Sequence, residues 1–428
     1  MLVPYSVPHW IKCRLGDFIF LQNGYAFDSK SYRPQGVPVI RISNLTTEHQ
    51  VILDEVIYVR DRPEYQNFVI KQGDLLLAMS GATTGKLGVY SHIQKVFQNQ
   101  RVGNLKIINP KMCDNKFRNY LFFALTNTIL KLAYGGAQPN ISSAKLLSLS
   151  CSLPPLAEQK RIVKKIEELF AIIDKTVKSL NETKEELAQY RQSVLQQAFS
   201  GKLHKTTVWN QILLREAVDI NPKTTVPALA ETDLVSFLPM SVVSEESLSY
   251  TEQKVPFGKV KKGYTKFQNE DILFAKITPC MENGKGCIVH NLSHGIGFGS
   301  TEFHVLRCSK GVFPKFIYYF VIRRCFRAES KNKMSGAVGQ QRVPVEFLKE
   351  YSINLPSLPE QKAIVAKIET AFAAADKAEK AISAALEQTK QLKQSILKRA
   401  FEGKLVPQDP NDEPVDLSQI KKHKGKSK

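Results

Sequence analysis

The chain has 428 residues, enough for two or three domains with cores of their own. Hydrophobic residues make up 43% and charged residues 23%, a globular composition that excludes wholesale disorder. The 60 Lys and Arg against 40 Asp and Glu leave a net charge of +20, which favours a polyanionic partner. No apolar run reaches the roughly 18 residues of a membrane span, no secretory signal opens the chain, and seven scattered cysteines favour reduced thiols. We therefore expect a cytoplasmic protein without a membrane partner.

Residues 1–152 have the pattern of a compact α+β domain. The short β-like runs VPVIRIS, DLLLAM and GNLKIIN are followed by a helix, FRNYLFFAL, and Gly and Pro punctuate the stretch. Most of the basic excess lies in this domain and in a later one, residues 205–354, which has the same kind of pattern. We expect these two domains to grip the polyanion.

Residues 153–204 predict one long amphipathic helix. Apolar residues alternate at spacings of four and three from residue 162 to residue 194, as in a coiled-coil seam. Pro154 and Pro155 stop any preceding helix, and Gly201 stands where a C-terminal cap belongs. The predicted seam consists of Ile162, Ile166, Leu169, Ile173, Leu180, Leu187 and Val194.

The chain then repeats itself. LPPLAEQK at residues 153–160 returns as LPSLPEQK 202 residues later, and RQSVLQQAFSGKL at 191–203 returns as KQSILKRAFEGKL at the same shift. Upstream, GDLLLA at 73–78 resembles EDILFA at 270–275. The order is therefore a first domain, a helical spacer, a second domain at 205–354, a second spacer at 355–405 and a flexible basic tail at 406–428. The second seam consists of Ile364, Ile368, Ala371, Ala378, Ile382, Ala385, Leu392 and Ile396.

The two long helices are predicted to pair antiparallel, because a compact domain between them cannot carry the chain back a full helix length. Large seam residues would then meet small ones, and close packing of the helices results. The expected facing pairs are Ile173 with Ala385, Leu180 with Ala378, and Leu187 with Ala371. The alternative is that each helix packs separately on its own domain.

The repeated LP-x-L-x-EQK opening, the long helix, the closing AF-x-GKL and the GDLLLA motif resemble the type I restriction-modification specificity subunit over essentially the whole chain. The resemblance implies two target-recognition domains separated by long antiparallel coiled-coil-like helices, an α+β fold with a pseudo-two-fold internal repeat. It further implies that each domain reads one half of a bipartite, asymmetric target in double-stranded DNA, while the helices set the gap.

The same resemblance implies a non-catalytic chain without a cofactor of its own. Two adenine-methyltransferase subunits would bring S-adenosylmethionine, and two restriction-translocase subunits would bring ATP and Mg²⁺, in a bacterial defence system based on DNA methylation. One rival hypothesis is a free-standing, repressor-like DNA-binding protein with two reading heads. A second is an enzyme whose catalytic residues escape recognition.

Base-reading residues should be polar side chains on loops that follow strands. The candidates in the first domain are Tyr25, Arg33, Arg41, Ser43, Asn44, Ser80, Thr83, Thr84, Lys86, Asn99, Gln100, Arg101, Gln138 and Asn140. The candidates in the second domain are Lys276, Thr278, Asn283, Lys285, Ser300, Thr301, Gln340 and Arg342. The alternative for each of them is a solvated surface residue.

Two patterns resemble chemistry without meeting its requirements. The stretch from Gly81 to Lys86 resembles a phosphate-binding P-loop, but it has three residues between its glycines instead of four, and Leu87 follows the lysine. Cys280 and Cys287 are too widely spaced for a usual zinc knuckle. We therefore expect no catalytic residue and no metal site.

Overall fold

The computed structural model describes residues 7, 9–81, 83–133, 139–203, 209–246, 248–337 and 339–416. The chain forms two compact units. Unit 1 comprises Met1–Ser179 and Ala385–Lys428, and unit 2 comprises Leu180–Ala384. Within the described ranges, no helix is both long and apolar enough to cross a membrane.

The strands are short, and glycines, prolines and polar turn residues separate many of them. Among the described residues they are β1 (Ile11–Arg14), β2 (Ile19–Asn23), β3 (Val37–Ile40), β4 (Ile57–Val59), β5 (Val69–Ile70), β6 (Leu75–Ala78), β7 (Leu87–Val89), β8 (Val96–Gln98), β9 (Val102–Ile107), β10 (Ser150–Leu153), β11 (Asn210–Leu213), β12 (Val218–Ile220), β13 (Leu234–Leu238), β14 (Gln253–Pro256), β15 (Thr265–Gln268), β16 (Ile272–Ala275), β17 (Gly286–Ile288), β18 (Ile296–Gly299), β19 (Phe303–Cys308) and β20 (Ser352–Leu355). The α-helices are α1 (Asn115–Ala124), α2 (Thr126–Ala133), α3 (Ser143–Leu147), α4 (Leu156–Phe199), α5 (Leu214–Ala217), α6 (Phe257–Val260), α7 (Pro314–Val321), α8 (Arg324–Asn332), α9 (Val345–Glu350) and α10 (Leu358–Phe401).

The globular domain of unit 1 contains two four-stranded sheets and one strand pair. The first sheet has the order β2-β9-β6-β7 and is antiparallel throughout. The second has the order β4-β3-β8-β5, with β3 and β8 parallel. Strands β1 and β10 pair separately and so bring the start and the end of the domain together.

The globular domain of unit 2 repeats this topology strand for strand. Its sheets have the orders β12-β19-β16-β17 and β14-β13-β18-β15, again with one parallel pair, β13 with β18. Strands β11 and β20 close the domain as β1 and β10 close the first. The predicted α+β class and internal repeat are therefore confirmed, including the part where the sequence similarity is faint.

The two long helices, α4 and α10, have 44 residues each and pack antiparallel within each unit. In unit 1, Asp174 near the middle of α4 pairs with Lys393 near the end of α10, at 2.5 Å. In unit 2 the equivalent pair is Arg191 and Asp376, also at 2.5 Å. The antiparallel arrangement predicted from the seam is thus present in both units.

Most residues of the predicted seam are buried or half-buried, and one is exposed. Eight of its members are buried and six are half-buried. Leu392, however, is 51% exposed, and the adjacent Lys393 faces α4 instead, over the ring of Phe170. A straight helix drifts by about 20° per heptad from a strict seven-residue repeat, which moves the contact by one position here. The three expected facing pairs are wrong in register. The contacts of Asp174 with Lys393 and of Arg191 with Asp376 displace α10 along α4 by more than one helical turn from the predicted pairing.

The repeated EQK motif fastens each long helix to its domain through a buried glutamine. The side chain of Gln159 accepts a hydrogen bond from the backbone N–H of Asp114 at 2.9 Å and donates to the carbonyls of Met112 and Pro154. Gln361 makes the equivalent bonds in unit 2, accepting from the N–H of Phe313 at 2.7 Å. The motif is therefore a structural joint between domain and helix.

Most apolar residues of α4 and α10 that lie off the seam pack against the globular domains. Phe401, at the end of α10, contacts Phe117 of the first domain, with ring centroids 5.3 Å apart. Phe199, at the end of α4, contacts Phe316 of the second domain at 4.9 Å. Each long helix therefore packs both on its partner helix and on a globular domain, so the two packing alternatives are not exclusive.

The segment after α10 differs from the sequence-based expectation of a flexible tail from residue 406. Val406 packs against the core of unit 1, and Val415 is buried in it. Between them, Asp412 pairs with Arg161 of α4 at 2.5 Å. Apolar side chains and one carboxylate thus anchor residues 406–416, and the basic cluster at 421–428 lies outside the described residues.

Candidate nucleic-acid interface

In unit 1, the loops that follow four different strands meet at one edge of the domain. The N–H of Asn99, after β8, donates to the carbonyl of Ile40 at the end of β3, at 3.1 Å. Gln100 donates to the carbonyl of Tyr25, after β2, and the N–H of Met79, after β6, donates to the carbonyl of Arg101. The predicted reading loops of the first domain are therefore neighbours in space.

The segment before α3 joins the same edge. Asn140 forms a backbone bridge with Ser80, and the N–H of Ile141 donates to the carbonyl of Met79 at 2.9 Å. Asn140 is exposed, as are Ser43, Gln100 and Arg101. Gln138, the neighbouring candidate, lies outside the described residues.

Two candidates in unit 1 are not available to a base. Asn44 is 2% exposed, and its amide bonds the N–H of Arg41 and the carbonyl of Asp54, so that it holds a tight turn. Thr84 is 3% exposed, and its hydroxyl donates to the carbonyl of Gly81. Both side chains therefore use their polar groups in hydrogen bonds to the nearby backbone, as is usual for Asn and Thr in turns.

The remaining candidates of unit 1 differ in their surroundings. The half-buried Tyr25 packs among Phe27, Tyr65 and Phe68. Arg33 is exposed, and its N–H donates to the carbonyl of Tyr58 in β4, the strand that pairs with β3. Arg41 is half-buried, with its guanidinium on the carbonyl of Glu55 and its Nε without a partner.

The P-loop-like stretch is a turn at this same edge. Gly81 and Gly85 have φ of +93° and +89°, in the left-handed region that favours glycine. The N–H of Gly85 donates to the carbonyl of Ala78, and the hydroxyl of Thr83 donates to the carbonyl of Ile42. The turn presents Ser80, Thr83 and Lys86 as half-buried side chains.

The loops of unit 2 converge in the same way. The N–H of Lys276, after β16, donates to the carbonyl of Glu302, and Val343 donates to the carbonyl of Lys276. Thr278 donates to the carbonyl of Gln341, and Ser300 to that of Leu238 at the end of β13. Thr301, Asn283 and Gln340 are exposed beside them, and Lys285 places its Nζ 3.4 Å from the carbonyl of Met240.

Arg342 is positioned at this edge but is not free. Its guanidinium forms two hydrogen bonds to the carboxylate of Glu302, at 2.8 and 2.7 Å. These bonds lower the pKa of Glu302, so the carboxylate is charged at neutral pH. Arg342 would have to leave Glu302 before it could bind a guanine edge.

A basic groove of about 590 Å³ opens at the same edge of unit 2. Three lysines line it, Lys223, Lys266 and Lys276, together with Tyr264 and a row of threonines. Of the three lysines, sequence reasoning singled out only Lys276. The Lys-Thr stretches KTT at 223–225 and YTK at 264–266 were the available signal. Lysines beside hydroxyls are typical of phosphate contacts.

Two buried ionisable groups in the described part of the chain are held in their neutral forms. No group of three or more His, Cys, Asp and Glu among these residues is arranged to hold a metal ion. Burial raises the pKa of Cys287 to about 12 and lowers that of His304 to about 4, so both stay neutral. His290, three residues after Cys287, lies 2.7 Å from the carboxylate of Glu270 through its Nδ1.

The sequence of the chain is similar to that of known proteins of one family. The type I restriction modification DNA specificity domain matches residues 9–186 and 219–388. The chain is 26% identical to the StySPI specificity subunit of Salmonella potsdam, over 89% of this chain and 85% of that one. It is 25% identical to the EcoKI specificity subunit of Escherichia coli over the same shares. The EcoAI specificity subunit of Escherichia coli is 32% identical, but the alignment spans 48% of this chain and 42% of that subunit, less than half of each.

Two solved structures have the same fold. A chain from a study of complex assembly and conformational transition of the type I R-M system aligns with a TM-score of 0.68 at 19% identity, covering 94% of this chain and 100% of that one. The HsdS subunit of Thermoanaerobacter tengcongensis aligns with a TM-score of 0.55 at 18% identity, covering 94% and 99%. With both domain matches, the shared topology and these relatives, the chain belongs to the family of type I restriction-modification DNA specificity proteins.

Proposed function

We propose that this chain is the DNA sequence-specificity subunit of a type I restriction-modification system and that each globular domain reads one half of a bipartite, asymmetric target. The observation that carries the proposal is the repeated edge. Two domains of identical topology gather corresponding loops at the corresponding place but present different side chains there. This is what recognition of two different half-sites requires.

The strand registers define this difference in side chains. Lys266 lies opposite Phe298 in unit 2, where Val69 lies opposite Phe97 in unit 1. Lys276 follows β16, where Met79 follows β6. Each domain therefore places its own polar groups on a shared framework, with lysines for phosphates and amides or hydroxyls for base edges.

We further infer that the long helices set the gap between half-sites and dock two methyltransferase subunits, with two restriction-translocase subunits completing the enzyme. S-adenosylmethionine, ATP and Mg²⁺ would then act on those subunits. The helices retain exposed apolar side chains outside the domain cores: Ile172 at 63% exposure, Leu392 at 51% and Tyr190 at 47%. Such residues favour protein docking over a free-standing DNA-binding protein.

The experiment that tests the reading function is selection from a random duplex library, with the full chain and its cognate methyltransferase subunit. The wild-type complex should select a two-part motif with an unread gap. Arg101→Ala should change one half and Gln340→Ala, which removes an exposed amide of unit 2, the other. Lys71→Ala is the matched control. Lys71 is exposed and follows Ile70, which lies opposite Val96 at the start of β8, whereas the loop of Arg101 follows the end of β8. A single continuous motif, bound equally well by the chain alone, would favour the repressor-like alternative.

The spacer role has its own test. Removing one heptad from both α4 and α10 should change the length of the unread gap and leave both half-site sequences as they are. An unchanged gap in a complex that still binds would mean that the helices do not determine the spacing.

A further inference from the structure

Two buried cysteines face each other where the first domain closes. Cys13 lies on β1 and Cys151 on β10, and the antiparallel register places them directly opposite. Their sulfur atoms are 3.7 Å apart. Because β1 and β10 are the first and last strands of the domain, a bond between these sulfurs would join the two ends of the domain.

The corresponding strand pair in unit 2 does without cysteine. There Ile212 on β11 lies directly opposite Ile353 on β20. An aliphatic pair therefore closes the second domain, and the fold of this strand pair does not require thiols. Of these two matched strand pairs, only the one in unit 1 carries two thiols.

The α-carbon spacing expected for this strand pair lies within the range found across disulfides. The N–H of Leu15 donates to the carbonyl of Leu149, which lies opposite it, at 2.9 Å. Hydrogen-bonded pairs alternate along an antiparallel ladder, so Cys13 and Cys151, two residues further along, also form a hydrogen-bonded pair. Opposed α-carbons in such pairs are about 5.5 Å apart, within the range of about 4.4–6.8 Å found across disulfides.

A surface cavity lies beside this strand pair. A cavity of about 450 Å³ is lined by Cys13 and Cys151 together with Lys12, Arg14 and Asp17. Cys13 is 9% exposed and Cys151 6%, whereas the nearby Cys113 is 1% exposed and does not line the cavity. Of these three cysteines, Cys13 and Cys151 are therefore the two that line the cavity.

We propose that Cys13 and Cys151 form a redox-active dithiol that a hydroperoxide converts into a cross-strand disulfide. One sulfur attacks the peroxide oxygen, the O–O bond breaks, and a sulfenic acid and one molecule of water or alcohol result. The second sulfur then displaces the hydroxyl as water and forms the S–S bond. The two thiols lose two electrons and two protons, which reduce the peroxide.

The environment makes this reaction slow at neutral pH. The hydrogen bond with Cys13 and burial both raise the pKa of Cys151, so the nucleophilic thiolate is scarce. Cys325, by contrast, is exposed and would react with oxidant independently. The experiment therefore starts from a Cys325→Ser background.

The full-length protein is treated with hydrogen peroxide, digested and analysed by mass spectrometry. We expect a peptide that contains Cys13 linked to one that contains Cys151, with loss of two hydrogens, and complete reversal by dithiothreitol. Closing so long a loop should also raise the thermal midpoint of unit 1 by about 5 °C or more, lost again on reduction. Neither readout involves DNA, so failure here leaves the proposed reading function untouched.

The control is Cys13→Ile with Cys151→Ile, which copies the pair found in unit 2. It should fold, show no link and show no oxidant-dependent shift of the midpoint. Single variants Cys13→Ser and Cys151→Ser should retain a sulfenic acid on the remaining sulfur. Oxidation of the parent that stops at sulfinic acid, or links either cysteine to a different one, would overturn the proposal.

Discussion

The two globular domains hold the same carboxylate in the same turn with different partners. In unit 1, Asp74 precedes β6 and accepts hydrogen bonds from the N–H of Lys71 and the amide of Asn104, at 2.9 and 2.7 Å. In unit 2, Asp271 precedes β16 and accepts from the N–H of Gln268. Its second partner is Arg307, which binds it through two nitrogens at 2.8 Å each.

The buried glutamines behave differently. Gln159 and Gln361 keep both their identity and the pattern of their bonds. The joint between domain and helix therefore uses the same residue and the same hydrogen bonds in both units. Inside the domains, by contrast, the same backbone framework accepts different polar side chains at matched positions. Side chains at the edge where the loops meet have the same freedom, which two independent half-sites would require.

The largest expected effect tests the polar solutions inside the domains. Arg307→Leu should destabilise unit 2 by about 3–5 kcal/mol, because it leaves the buried Asp271 without its charged partner. Asn104→Leu should cost unit 1 only about 1–3 kcal/mol, the range for one lost hydrogen bond to a buried group. Urea unfolding, with hydrogen exchange of peptides from each unit, measures both. Equal losses would show that the charge of Arg307 does not matter.

The joint should respond equally in both units. Gln159→Leu and Gln361→Leu each leave three backbone groups without a partner and should each cost about 3 kcal/mol, since a single such group costs about 1–3 kcal/mol. The control is Gln196→Leu on the exposed face of α4, which should stay within about 0.5 kcal/mol of wild type. A large effect at one glutamine and none at the other would contradict the equivalence of the two joints.

Acid should distinguish the units through His304. The amide of Asn221 donates to Nδ1 of its ring while Oδ1 of the same amide accepts from the N–H of Val305, and Nε2 donates to the carbonyl of Val343. Burial lowers the pKa of His304 to about 4, so the folded state resists protonation while the unfolded chain takes up a proton near pH 6.5. Stability is therefore complete above pH 6.5 and falls as the pH drops toward 4.

Relative to His304→Gln, the wild-type protein should lose about 2 kcal/mol of unfolding free energy between pH 6.5 and pH 5. The difference between the two proteins isolates this ring, because burial also lowers the pKa of His49 in unit 1. Urea midpoints at pH 7 and pH 5 provide the measurement. Parallel pH profiles for both proteins would rule out this role of His304.

The smallest expected effect concerns the ion pairs between the helices. Asp174→Asn and Asp376→Asn remove equivalent partners whose side chains are 63% and 60% exposed. Each should cost only about 0.2–1 kcal/mol, and less at high salt. Thermal unfolding at low and high ionic strength would check this, and a cost that persists in high salt would indicate a packing role for the aspartates.

The long helices and the internal repeat can be predicted from the sequence, whereas the contacts between elements can be predicted only in part. Periodicity is a local property, so α4, α10 and most of their seam follow from spacing. A strict heptad repeat ignores helical drift and therefore predicts that Leu392 contacts the other long helix. In the structure Lys393 faces α4 instead. Asn44 and Thr84 look like reading residues because turns favour them, and it is local backbone bonding that removes both from solvent.

By itself, the sequence determined that two similar halves exist, that long helices connect them, and that loops after strands carry the polar groups. These features depend on local periodicity and on an internal repeat. Only the tertiary structure decided that loops distant in sequence share one edge and that Lys223 and Lys266 join Lys276 in a groove. It also decided that Cys13 faces Cys151. Strand order and register bring such residues together across long stretches of chain, and no local pattern encodes them.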